Sequence, residues 1–128
     1  MPTGSDIADR SYAFALRVVN AYKYLTTVKG EHVMSKQLRR SGTAIGALIC
    51  EAKFAQSRAD FVNKMSIALK EANETIYWVN LLHDSGYFLD NVYGSVFGEI
   101  NEITAILAAI VKSTKANTHK YGIGKTTT

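Results

Sequence analysis

Cysteine and proline are nearly absent from this 128-residue chain: Cys50 and Pro2 stand alone. A single cysteine excludes an intrachain disulfide framework and a four-cysteine zinc site. Because Cys50 lies among Ala47, Leu48, Ile49 and Ala52, the expectation is a buried structural thiol rather than a nucleophile. Little proline, with 47% hydrophobic and 20% charged residues, excludes a disordered tail protein. Long hydrophobic runs are also missing. The longest, Ala44–Cys50 and Ala105–Val111, fall far short of the roughly 18–20 residues of a membrane span. Met1–Arg10 contains Asp6 and Asp9 and no apolar stretch of the secretory kind. No alternating strand run of useful length occurs. A soluble, cytoplasmic, single-domain protein without a membrane partner is expected.

What the chain does have is helical periodicity. Apolar and small residues recur at steps of three and four in four segments, at about 6–28, 31–55, 58–84 and 91–115. The stripes are Ile7, Ser11, Phe14, Val18, Tyr22 and Leu25 in the first helix, and Met34, Leu38, Ser41, Ile45, Leu48 and Ala52 in the second. The third carries Phe61, Met65, Ala68, Ala72, Ile76, Val79 and Leu82, and the fourth Val96, Ile100, Ile103, Leu107 and Ile110. Gly30 and Gly86 are placed to end helices, Ser57-Arg58-Ala59-Asp60 resembles a capping box, and Asp90 is the expected cap of the last helix. Residues 116–128 read as a basic flexible tail. Four long helices with short connections make an all-α, antiparallel up-and-down four-helix bundle.

A bundle helix needs one buried stripe, yet the second and third carry further apolar residues. Thr43, Ala47, Cys50 and Phe54 fall roughly opposite Met34, Ile45 and Ala52, and Gly42 and Gly46 form a small-xxx-small step that admits a neighbouring helix. Tyr77, Trp78 and Leu81 lie off the third stripe. Either these residues pack at bundle edges or they form a subunit or partner interface, and the second reading predicts a homo-oligomer.

The residues that carry enzymatic chemistry are not arranged for it. His32, His83 and His119 belong to no HExxH or Glu-x-x-His pair, so no metal site is expected. His83 ends the third helix, where a cation complements the helix dipole. Glu71 and Glu74 read as a solvated face. Gly124-Lys125-Thr126 imitates the end of a phosphate-binding loop, but His119 stands where the first glycine belongs. No catalytic residue and no cofactor is expected, and an enzyme is not.

Charge is distributed unevenly. Residues 1–64 hold ten basic and five acidic groups, residues 65–111 one and six, and residues 112–128 four and none, for a net +4. Arg17, Lys36, Arg39, Arg40, Lys53, Arg58 and Lys64 make the front half a candidate phosphate-binding surface, sequence-independent and salt-sensitive. No recognition-helix, RNP or finger signature is present, so base-specific readout is not indicated. The acidic stretch of one subunit could equally pair with the basic stretch of another, leaving a scaffold that recruits a protein through Tyr77, Trp78 and Leu81.

Ser35-Lys36-Gln37-Leu38-Arg39-Arg40-Ser41-Gly42-Thr43-Ala44-Ile45-Gly46-Ala47 resembles the second-helix motif of the bacterial four-helix-bundle family, also known as the 23S ribosomal RNA intervening-sequence proteins. The similarity continues through Glu51-Ala52, Gln56-Ser57, Asp60-Phe61, Lys64–Ala72, Glu74-Thr75 and Tyr77-Trp78-Val79, over about residues 10–115. Leu48 stands where the family pattern often has asparagine. The resemblance implies an up-down four-helix bundle able to assemble as a pentamer. By more distant analogy with retroelement accessory bundles, it implies nucleic acid and a reverse transcriptase as partners, and RNA is expected before DNA.

Overall fold

The computed structural model describes residues 6–120, the last three as helical backbone. Residues 121–128, with the Gly124-Lys125-Thr126 motif and most of the expected tail, lie outside the described residues. Four helices follow one another: α1 (Ile7–Thr27), α2 (Met34–Ala52), α3 (Arg58–Asp84) and α4 (Asp90–Lys120). Each packs on the next, and α1 returns to α4 along a much thinner seam. With loops at 28–33, 53–57 and 85–89 this is an up-and-down four-helix bundle.

The core is Phe14, Val18 and Leu25 of α1, Leu38, Ile45, Ile49 and Ala52 of α2, Met65, Ala68, Ala72, Val79 and Leu82 of α3, and Val96, Ile100, Ile103, Leu107 and Val111 of α4. Two expected positions shift by one residue. Ile49 rather than Leu48, and Val111 rather than Ile110, face the core, because a 3.6-residue period drifts across a fixed three-four count over several turns. The apolar residues of α4 give Asp90–Asn117 the length and mean hydropathy, 1.4, of a membrane span. Its buried stripe and its carboxylates bound to α1 instead make it a wall of this bundle.

Helix ends depend on specific side chains. Ser57 accepts from the Asp60 N–H at 3.0 Å, and the Asp60 carboxylate accepts from the Gln56 N–H at 3.2 Å, so the expected capping box forms with its return arm one residue early. The second helix starts at Met34, not at 31, and Glu31 reaches back over its first turn. The Glu31 carboxylate accepts from the N–H groups of Val33, Met34 and Ser35 at 3.0, 2.9 and 2.7 Å, while Ser35 Oγ donates to the Glu31 carbonyl. Burial alone would raise this carboxyl. The three backbone donors outweigh it and hold Glu31 below the ordinary carboxylate range. Asp90 is not a cap: it is the first residue of α4, and its carboxylate turns back to His83. At the other end α4 continues past 115 to Lys120, so residues 116–120 of the expected tail are helix.

Candidate functional site

Gly42 and Gly46 do allow a helix backbone to approach closely, but that helix is the chain's own α1. Gly42 is buried, and a β-carbon there would meet Val18 Cγ2 at 2.8 Å. Gly46 is half-buried against Ser11, with room for a β-carbon at 3.4 Å from Ser11 Oγ. Gly42 is thus taken up by packing inside the chain, while Gly46 stays partly exposed in the α1–α2 seam. Thr43 is half-buried, its hydroxyl donating to the Arg39 carbonyl at 2.6 Å, while Ala47, Cys50 and Phe54 are exposed. The thiol expected to be buried is therefore open to solvent, since Ile49 beside it occupies the core position.

The α3 residues form a separate group. Tyr77 is exposed and meets Trp78 edge-to-face at 4.9 Å. Trp78 and Leu81 are half-buried, and the Trp78 indole N–H donates to Glu74 at 3.0 Å.

The seven basic candidates separate into three classes. Arg40 bridges to Glu71 (3.2 Å) and Glu74 on α3, and Lys64 pairs with Glu51 at 3.2 Å. Arg40 first, and then the Trp78 N–H, hold the Glu74 carboxyl below its ordinary value. Arg17 sits apart in the α1–α4 seam. There it donates to Ser95 at 2.9 Å, beside an apolar groove of about 370 Å³ lined by Tyr24, Phe88, Leu89, Val92 and Val96. Lys36, Arg39, Lys53 and Arg58 are exposed and have no carboxylate within ion-pair reach among the described residues. Arg39 instead lies over the Tyr22 ring, 4.4 Å from its centroid.

The carboxylates follow the opposite rule. Glu99 and Glu102 both receive Arg10 across the α1–α4 seam, and Asp84 and Asp90 flank His83 at 3.2 and 2.7 Å. Glu71, Glu74 and Glu51 are paired as above, and Asp6, Glu31 and Asp60 cap backbone N–H groups. Asp9 alone has no such role among the described residues. The acids of residues 65–111 are thus all engaged inside the chain, while most cations face water. No three His, Cys, Asp or Glu side chains converge as metal ligands would among the described residues.

The fold adds further cations to this surface. Lys23 and Lys29 join Lys36 at the end of the bundle holding the α1–α2 loop, and Lys112 and Lys115 join Lys53 and Arg58 at the opposite end. Their grouping needs the up-down topology. The Tyr22–Arg39 contact joins residues on two helices, and no local spacing announces it.

No curated protein matches the chain in sequence. A solved structure does: a protein of unknown function from the S23 ribosomal protein family of Bacteroides thetaiotaomicron, 53% identical, covering 83% of this chain and 95% of that one, with a TM-score of 0.81. The family model for the 23S rRNA-intervening sequence protein matches residues 4–109. This chain belongs to the 23S rRNA-intervening sequence protein family.

Proposed function

We propose that the protein is a non-enzymatic, self-associating bundle that binds the phosphate backbone of nucleic acid, RNA before DNA. Lys36, Arg39, Lys53 and Arg58 carry the contacts; Arg17, Arg40 and Lys64 contribute less, because each already has a partner inside the chain. The observation that supports this most is the division of charge. Carboxylates are consumed by internal pairs and caps, so the exposed surplus of α1, α2 and the start of α3 is basic and attracts a polyanion. The same division weakens the rival scaffold held by charge between copies, since Glu71, Glu74 and Glu99 already meet arginines across helices, leaving mainly Asp84 and Asp90 beside His83 for such pairing. The family's name supplies the preference for an RNA context. Exposed Phe54 (79%) and Tyr77 (58%) favour self-association, and the family resemblance favours five copies.

Anisotropy of a labelled RNA titrated at about 50 and about 200 mM salt tests the reading. Binding that weakens steeply with salt, and weakens further in Lys36→Glu/Arg39→Glu with the helical signal unchanged, is expected. No binding at about 50 mM, or binding indifferent to salt, overturns it. Light scattering at the mass of one chain overturns the self-association.

A further inference from the structure

One side of α1 and one side of α2 meet along a seam that differs from the rest of the surface. Ala8, Tyr12, Ala15, Val19 and Tyr22 recur on α1 at steps of three and four, and Lys36, Arg39, Thr43, Ala47 and Cys50 do so on α2. Between Ala8–Ala15 of α1 and Thr43–Lys53 of α2, where most side chains are small and Gly46 has none, the seam opens into a groove of about 440 Å³. Tyr12, 67% exposed, stands on its wall. Lys53 closes the groove at one end beside Asp9, the one carboxylate on its rim. Further along the seam, Arg39 lies over the Tyr22 ring, 4.4 Å from its centroid, with Lys36 one turn away. Tyr12 and Tyr22 are about 15 Å apart along the helix axis.

We infer that this seam binds single-stranded nucleic acid, with unpaired bases stacking on Tyr12 and on the Arg39–Tyr22 pair and phosphates held by Lys36 and Lys53. The inference rests on the backbone-binding reading above and adds a strand preference to it. Three features argue for it. Exposed tyrosines and arginine guanidiniums are stacking surfaces for bases, and Arg39 is exposed where it lies over Tyr22. Cations stand at both ends of the seam and aromatic surfaces lie between them, which is the arrangement that tracks a flexible strand. A duplex keeps its base faces inside its own stack, so it gains only the phosphate contacts here.

Single-stranded oligouridylate and an RNA duplex of equal length, both labelled, are compared at one salt concentration on the wild type, Tyr12→Ala and Arg39→Lys. Arg39→Lys keeps the charge and loses the plane. The wild type is expected to favour the single strand, and each variant to lose about tenfold on it while leaving duplex binding within about twofold. Single-strand binding by both variants equal to wild type, or equal wild-type affinity for both RNAs, overturns the seam while leaving the backbone reading intact. Failure of both RNAs to bind the wild type at about 50 mM salt overturns the two together. Cys50, on the groove wall, gives an independent readout. Its alkylation by a maleimide, followed by mass, is expected to slow with oligouridylate and not with duplex, and an unchanged rate with oligouridylate bound overturns the placement in the groove.

Discussion

Gly42 and Val18 set the distance between α1 and α2, since the methyl groups of Val18 occupy the space a β-carbon on Gly42 would need. Val18 is a core residue with little freedom to move. Gly42→Ala therefore gains about 1 kcal/mol of helix propensity and loses about 1–3 to overpacking. A net loss of about 1 kcal/mol, seen as a melting temperature lower by about 4 °C, is expected. Gly46→Ala is the control: its β-carbon makes an ordinary contact with Ser11, so it is expected to be neutral or stabilising. A Gly46 variant as damaged as the Gly42 variant would contradict this packing of α1 on α2. Glu31 is the other residue on which much depends. It is 7% exposed and satisfies three N–H groups at the start of α2, whose cap residue Val33 supplies no side-chain acceptor. Glu31→Ala is expected to cost about 2 kcal/mol in urea unfolding at neutral pH. Because the Glu31 carboxyl is held below its ordinary value in the folded chain, this contribution is present above the unfolded carboxylate pKa. It disappears as pH falls through the folded value, so wild type and variant converge in acid.

At the level of helices, a histidine joins two elements at the α3–α4 corner. His83 ends α3, stacks on Tyr93 of α4 at 4.0 Å, and lies between Asp90 and Asp84. Tyr93 is held in turn by its hydroxyl donating to Asn80 at 2.7 Å. Asp90 above all, then Asp84, raises the His83 pKa above its ordinary value near 6.5. A raised pKa adds stability that is complete below the unfolded histidine pKa and is lost as pH rises through the folded one. Melting curves at about pH 6 and about pH 8 are expected to show the wild type losing stability on the basic side, and Asp90→Asn losing less of it. Equal pH dependence in the two proteins would remove His83 from this role.

The same corner shows what a sequence can reveal. Four helices, the glycine stops and the Ser57 cap follow from periodicity and local chemistry, and all of them formed. Asp90 has the chemistry of a cap but found a better partner seven residues back. Glu31 caps from outside the usual residue types. Of the two α2 glycines, Gly42 packs against α1 inside the chain, because period alone gives a direction around the helix and not the neighbour found there. Of the candidate site, the cations were legible as residue types, but which of them α3 neutralises depended on how α2 and α3 meet.

For the molecule as a whole, folding and the proposed RNA binding are expected to draw on electrostatics in different ways. The ion pairs across helices are surface pairs, each contributing about 0–1 kcal/mol, while the core supplies most of the stability. Raising salt from about 50 to about 500 mM is therefore expected to move the melting temperature by no more than about 3 °C while RNA affinity falls by orders of magnitude. A large loss of thermal stability over that range would show that the internal pairs hold the bundle together. The contact pattern between helices has a further consequence. Three of the four seams join helices adjacent in the chain, and only the thin one joins first to last. Most of the bundle can then assemble by pairing neighbours over short loops, a low-contact-order route that favours rapid folding. Closure of α1 onto α4, fastened by Arg10 on Glu99 and Glu102, is the long-range step, and amide exchange along that seam is expected to be faster than in the other three.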